Sequence, residues 1–333
     1  MEKLTEENSL EAKDLENDSI GQECKELIST LPLEKSWIFN QCHQYQGFWI
    51  VTKNLQGLLS CQKHFQTLDT DILLATAPKS GTTWLKALTF ALLNRHKYHS
   101  KNHPLLTSNP HSLVPYLEHL YLDKDVVPNL NSLSPPRLFS THVPYESVPK
   151  SMKESTCKVV YLSRDPKDMF VSLWHFTNKI RAQQSRGTVP LEEVFESFCK
   201  GVSPFGPFWE HVLGYWKESL ERPEKVMFIK FEEIKIKPTF YLKMIAEFLG
   251  FPFSNDEESK GVVDDILNLC SFEMLSNLEV NKTGTSVPIT GIENKAFFRR
   301  GEVGDWKNHL TPEMSERLNT IIKQKLGKYG LSF

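Results

Sequence analysis

ATAPKSGTTWLKALTF, residues 75–90, leaves an apolar run, crosses a short polar loop and enters a helix-forming pattern. Phosphate-binding loops of the G-x-x-x-x-G-K-[ST] type place their lysine after the second glycine. Here Lys79 precedes Gly81, the only glycine of the stretch. The backbone amides of Gly81, Thr82 and Thr83 stand at a helix start, where unpaired N–H groups and the helix dipole favour an anion. Lys79 and two hydroxyls, those of Thr82 and Thr83, add donors, so the loop predicts a cradle for a phosphate ester. The competing reading is a capped helix behind an exposed lysine.

Working outward, four short apolar runs read as buried strands: DILLATA (71–77), RLFSTHV (137–143), KVVYLSR (158–164) and KVMFIKF (225–231). Their near-continuous hydrophobicity predicts burial on both faces. Helical patterns occupy 82–95, 166–179, 191–200, 208–220, 239–250 and 312–326. Alternation of this kind predicts an α/β fold with a central, mostly parallel sheet and helices on both faces. NKTGTSVPITGIENK (281–295) is polar and predicts a long functional or disordered loop.

At 333 residues the chain can bury a large core. No apolar run approaches the roughly 18–20 residues of a bilayer-spanning helix. The first residues carry neither a secretory nor a transit signature, which predicts a cytoplasmic protein. Residues 1–23 hold eight acidic and two basic side chains. We therefore expect a disordered acidic tail over 1–25 and a single domain over 26–333. Six scattered cysteines without a C-x-x-C pair predict reduced thiols rather than disulfides or a zinc site. A net charge of −2 gives no global pull toward nucleic acid, so an anionic ligand needs a local basic cluster.

In open parallel sheets, ligands sit beyond the carboxyl ends of the strands. Three sets of residues meet there: Pro78–Thr83, Thr141-His142 and Ser163-Arg164. A neutral imidazole can take a proton from a hydroxyl, which makes His142 a candidate base. Arg164, with Ser172 on the following helix, and Arg299-Arg300-Gly301 suggest a second anion site. Each also reads as ordinary surface charge. Asp165 reads as a helix cap with Pro166 in the first turn. His96, His99 and His103 lack neighbouring carboxylates and read as a solvated segment, so no metal is expected.

The ordered motifs PKSGTTWLKAL (78–88), STHVPYE (140–146), VVYLSRDPKDMFVSLWHF (159–176), NLCSFEMLSNLEVNK (268–282) and FFRRGEVGDWKNHLT (297–311) resemble those of plant-type cytosolic sulfotransferases. The resemblance covers nearly everything from residue 27 onward. It implies a P-loop-like, three-layer fold and transfer of a sulfuryl group from 3′-phosphoadenosine 5′-phosphosulfate (PAPS) to a hydroxyl of a small acceptor, without metal. The product of the donor is adenosine 3′,5′-bisphosphate (PAP).

By the same resemblance, Lys79, Ser80, Gly81, Thr82, Thr83 and Trp84 belong to the loop that holds the 5′-phosphosulfate. Arg164, Ser172, Arg299, Arg300 and the Gly301 backbone would hold the 3′-phosphate. Trp84 and Phe272 would sandwich the adenine, with Ser271 beside it and Phe231 where many members have tyrosine. His142 would accept the proton of the attacking hydroxyl during an in-line displacement, and Lys79 would meet charge on the leaving oxygen.

Three positions depart from the family pattern. Ser140 stands where animal members often have lysine, and Phe231 removes a possible hydrogen bond. A dimer motif survives as Lys307, Thr311, Pro312 and Glu316, where proline replaces valine and its N–H, so we expect a monomer or weak homodimer. For the acceptor, apolar pockets being the rule, the candidates are Phe48, Tyr116, Tyr145, Phe205, Phe208 and Trp209, each of which also reads as core. GPFWEHVLGYW (206–216) and NPHSLVPYLE (109–118) resemble flavonoid, brassinosteroid and hydroxyjasmonate-type members more than the glucosinolate group. The rival readings are a P-loop nucleotide kinase or ATPase, with Asp165 on magnesium, and a non-catalytic nucleotide-binding protein.

Overall fold

A computed structural model describes residues 21–38, 41–99, 101–123, 125–285 and 291–333. Among these, Leu33–Lys35 (β1), Gln41–Tyr45 (β2) and Phe48–Val51 (β3) form an antiparallel sheet. Ile72–Thr76 (β4), Leu138–Thr141 (β5), Lys158–Ser163 (β6) and Val226–Lys230 (β7) form a parallel one in the order β5-β4-β6-β7. Leu74 pairs with Ser140 on one side and Val160 on the other, which brings the ends of β4, β5 and β6 together.

The pleat sends alternate residues to opposite layers. Leu73, Ala75, Phe139, Val159, Tyr161 and Val226 pack with Leu55 and Leu58 of helix Thr52–His64, Phe170 of Pro166–Gln183, Val212 of Phe208–Glu221 and Leu318 of Pro312–Leu326. On the other face, Ile72, Leu74, Val160, Leu162 and Ile229 pack with Leu85 and Leu88 of Thr82–Leu93, Leu242 of Pro238–Leu249 and Ile266 of Val262–Leu269. The result is a three-layer α/β fold. Each such Leu, Ile or Phe removed from water contributes about 1.5–3 kcal/mol before entropy is counted.

All four expected strands form. The fourth ends at Lys230, and Phe231 opens the short helix Phe231–Ile236. The antiparallel sheet and the helix Thr52–His64 lie outside the sequence expectation, because their apolar residues are short runs broken by glutamines. The available signal was Gln46-Gly47, both at positive φ, between HQY and FWIV, the geometry of a two-residue hairpin turn.

Residues 1–20 of the expected tail lie outside the described residues. Its end is corrected: Gln22–Ile28 is helical, and Cys24 is buried against the core with Leu55 and Leu58. The expected loop 281–295 starts as the end of helix Glu279–Thr283 and is pinched by a bridge between Thr285 and Glu293; residues 286–290 lie outside the described residues. All six cysteines are free thiols, and five are buried.

Candidate active site

β4 runs into the loop Pro78–Gly81 and then helix Thr82–Leu93. Lys79 and Gly81 both take positive φ, 67° and 107°, which curls the loop. Gly81 is required: a Cβ there would lie 2.8 Å from the Phe231 ring and 2.9 Å from Leu162. No side chain caps this helix, so its first amides have no side-chain acceptor. Thr82 is turned inward to Thr76, hydroxyl to hydroxyl at 2.6 Å. Ser80, which the resemblance places in the phosphosulfate loop, is fully buried and off the cavity wall, and its Oγ has no partner among the described residues.

The loop opens onto a cavity of about 430 Å³. Its wall includes Lys79, Gly81, Thr82, Thr83, Trp84, His142, Arg164, Ser172, Phe231, Ser271, Phe272, Arg299, Arg300 and Gly301, residues drawn from across the chain. Trp84 meets the Phe231 ring edge-on at 5.6 Å, and the Arg164 guanidinium lies 4.7 Å from that same ring. Gly301 has φ 66°, and a Cβ on it would sit 2.6 Å from the Phe272 ring.

This half of the cavity is electropositive. Arg164 donates to the carbonyls of Lys79 and Glu302, at 3.4 and 2.7 Å, while Arg299 and Arg300 both reach the buried Asp305 carboxylate. Asp168 accepts from the amides of Gly304 and Trp306, which fastens the arginine loop to helix Pro166–Gln183. Lys79 Nζ lies 4.1 Å from the Phe176 ring centroid. Burial, then the cations Lys179, Arg164 and Arg299, lower its pKa to about 7. Crowded cations of this kind favour an anion.

His142 follows β5. Its Nδ1 is 2.7 Å from the Thr76 carbonyl, which can only accept, so Nδ1 carries the proton and Nε2 the lone pair. Tyr116 therefore donates to Nε2, at 3.0 Å. Burial is the main cause that pulls His142 down to about 3, so the ring is neutral. The Glu118 carboxylate holds the Thr141 hydroxyl and the His142 amide, while His211 donates to the His142 carbonyl.

Behind Tyr116 lies a network that the motifs did not reveal. Lys86, fully buried on helix Thr82–Leu93, donates to His111 Nδ1 at 3.0 Å and sits 3.5 Å from the Tyr116 ring centroid. His111 Nε2–H then reaches the Thr83 hydroxyl at 3.0 Å. The network joins the anion loop to the candidate base. A signal was present, since Thr83 and Lys86 are three apart and share a helix face.

Of the six acceptor candidates, Tyr116 and Phe205 line the cavity. Phe205 stands 5.8 Å from the His142 ring, held by its amide on the Trp49 carbonyl of β3. Phe48, Phe208 and Trp209 lie off the cavity wall, buried in the hydrophobic core. Tyr145 is likewise off the wall, with its hydroxyl taken by Arg222 and its ring edge-on to Tyr215. Leu173, Phe176 and Ile180 do line the cavity and follow Ser172 along one helix face, a spacing visible in the sequence.

Asp165 caps helix Pro166–Gln183, its Oδ1 accepting from the amides of Lys167 and Asp168, the role the sequence assigned to it. Pro312 occupies the first turn of helix Pro312–Leu326, capped by Thr311, where its missing N–H costs nothing. His103 caps a 3-10 turn through Leu105, and no metal-ligand cluster occurs among the described residues.

The model of the sulfotransferase domain matches residues 69–330. Cytosolic sulfotransferase 15 of Arabidopsis thaliana is 50% identical over 96% of this chain and 89% of its own. Cytosolic sulfotransferase 5 of the same plant is 52% identical over 95% and 98%. An Arabidopsis thaliana sulphotransferase crystal structure superposes with a TM-score of 0.74 at 42% identity, covering 94% of this chain and 98% of that one. A mouse sulfotransferase, SULT7A1, complexed with PAP, gives 0.66 at 26% identity over 86% and 95%. With its glycine-shaped anion loop, its neutral histidine at the end of β5 and this similarity along most of its length, the chain belongs to the sulfotransferase family.

Proposed function

We propose that the protein is a cytosolic enzyme that transfers a sulfuryl group from PAPS to a hydroxyl of a small, largely apolar plant metabolite of flavonoid, brassinosteroid or hydroxyjasmonate type. One observation carries the reading: a single cavity joins an electropositive half around Lys79 and Arg164 to an apolar half around Phe205, with the unprotonated Nε2 of His142, which holds the Tyr116 hydroxyl, between them. The donor fits the first half. Arg164 Nε and Arg299 Nε are buried without a partner among the described residues, and Gly81 and Gly301 open space that any side chain would close. Bound there, PAPS supplies the electrophilic sulfur and a leaving phosphate.

His142 Nε2 takes the proton of the acceptor hydroxyl as that oxygen bonds to sulfur. This requires the acceptor to replace the Tyr116 hydroxyl on Nε2. Lys79 and the loop amides meet the negative charge left on the oxygen that bridged sulfur and phosphorus. Arg164, Ser172, Arg299 and Arg300 surround the 3′-phosphate, and Trp84, Phe231, Ser271 and Phe272 enclose the adenine. The apolar walls exclude water that would compete with the acceptor.

The test offers the purified protein labelled PAPS and a panel of hydroxylated acceptors in EDTA, ranked by kcat/KM. Metal-independent transfer supports the reading. Magnesium-dependent nucleotide hydrolysis, or PAPS binding without transfer to any acceptor, would reject it.

A further inference from the structure

In the proposed acceptor half of the cavity, two polar side chains have no hydrogen-bond partner among the described residues. Asn54, on helix Thr52–His64, and His119, on the 3-10 turn Glu118–Tyr121, both line it, and neither side chain hydrogen-bonds to a described residue. Gly57 brings them to one wall. A Cβ there would collide with the Glu118 carbonyl and touch Leu122 at 3.0 Å, so helix and turn lie in contact one turn beyond Asn54 and beside His119. The surrounding wall, from Ile38, Val51, Pro204 and Ile292, is apolar.

We propose that Asn54 and His119 form a second recognition point, which reads an oxygen group of the acceptor remote from the hydroxyl presented to His142. The acceptor is then an uncharged, mostly apolar molecule with two oxygen functions, which narrows the proposed classes to the flavonoid and brassinosteroid types and sets aside the hydroxyjasmonate type, an acid. This inference rests on the sulfotransferase reading above and adds the chemistry of its second substrate.

The geometry bounds the separation of the two oxygens. The Tyr116 ring lies 4.8 Å from that of His142 and 5.0 Å from that of His119, so the second oxygen is no farther from the first than a molecule of a few fused or linked rings can span. Burial, aided by the Lys86 and Lys53 cations, lowers the His119 pKa to about 4. A neutral imidazole offers one donor and one acceptor, and the Asn54 amide offers both. A hydroxyl or ketone satisfies such a pair. A carboxylate does not: the charged side chains on the cavity wall are Lys79, Arg164, Lys235, Arg299 and Arg300, all grouped with the anion loop and the adenine-side aromatics. An acid in the apolar half would lose hydration, and the cations nearest that wall, Lys53 and Lys86, do not themselves line the cavity.

The experiment compares matched neutral acceptors on one ring skeleton, with and without a second hydroxyl or ketone, and a third bearing a carboxylate at that position. With PAPS saturating, the wild type should favour the two-oxygen acceptor by about 10-fold in kcat/KM. Asn54→Leu and His119→Leu should each collapse that ratio toward one, while His119→Gln, which keeps a donor and an acceptor, retains most of it. PAP binding by each variant reports a folded donor site. Equal kcat/KM for the two neutral acceptors in the wild type, a ratio that survives both leucine substitutions, or preference for the carboxylate would overturn the proposal. Absence of transfer to all three acceptors despite PAP binding would instead remove the underlying activity, a distinguishable result.

Discussion

The two halves of the cavity are built by different rules. The electropositive half, the proposed donor site, uses short contiguous pieces, namely Gly81–Trp84 with Lys79 and Arg164 after strands and Arg299–Gly301 after a 3-10 turn, with backbone amides, guanidinium groups and glycines whose Cβ positions are already filled by rings. The apolar half, the proposed acceptor site, is assembled from isolated residues on the antiparallel sheet, two helices, a 3-10 turn and the loop before helix Phe208–Glu221: Val51, Asn54, Phe176, His119 and Phe205. An anion of fixed shape demands fixed donors, which leave a local motif. An apolar ligand asks only for surface of the right shape, and many sequences can supply it.

The sharpest way to break the comparison is at the boundary between the halves. His142→Ala should lower kcat by about 10²–10⁴-fold, the usual worth of a positioned base, with PAP affinity little changed. Isothermal titration beside steady-state kinetics separates the two effects. A substitution that cost donor affinity alone would move His142 into the donor half.

Lys79→Met should cost about 10²–10³-fold in kcat, as for other groups that meet developing charge. It also carries a pH signature. With Lys79 at about 7 in the ligand-free protein, kcat/KM for the donor should fall as pH rises past that value, while His142, at about 3, imposes no limb in the same window. PAP binding at pH 8 should draw a proton onto Lys79, read by titration in two buffers and absent in Lys79→Met. Stability moves the other way. Between about 7 and the ordinary 10.5, the unfolded chain holds a proton that the folded chain has released, so folding becomes more favourable as pH rises through that window.

Arg299→Met should weaken PAP by about 10–100-fold, the worth of a hydrogen bond to a charged group, and affect adenosine 5′-monophosphate far less. Equal weakening of both nucleotides would place Arg299 away from the 3′-phosphate.

Within the acceptor half, Phe205→Ala and Phe48→Ala should differ in kind. The first changes acceptor kcat/KM; the second, a core truncation, costs about 3–5 kcal/mol of stability, read by denaturant unfolding. An acceptor-specific effect of Phe48→Ala would return that ring to the pocket.

The smallest effect tests the link between the halves. Lys86→Met and Tyr116→Phe should show a coupling energy of about 0.5–3 kcal/mol in a double-mutant cycle on kcat, because the two groups are in contact.

The parallel sheet was legible because its strands are buried on both faces, so ILLAT and KVVYLS stand out as unbroken apolar runs. The antiparallel sheet was not, since QCHQY alternates weakly and its register depends on the Gln46-Gly47 turn. Among site residues, Gly81 and Gly301 could be read from their motifs. Phe48, Phe208 and Trp209 could not be told from pocket residues, because an aromatic ring suits either environment. Lys86 and His111 fall inside quoted motifs that gave them no role: their meaning arises from a contact between positions 25 apart.

The sequence by itself determined the order of the four parallel strands and the inverted loop with Lys79 ahead of Gly81, because each is encoded within a few neighbouring positions. Only the tertiary structure decided which nitrogen of His142 is unprotonated, which aromatic rings face the cavity, that Arg164 and Arg299 gather around that loop, and that Asn54 and His119 share a wall. Those properties depend on hydrogen bonds and close packing between segments distant in the chain, such as Nδ1 of His142 on the Thr76 carbonyl and Gly57 against Glu118.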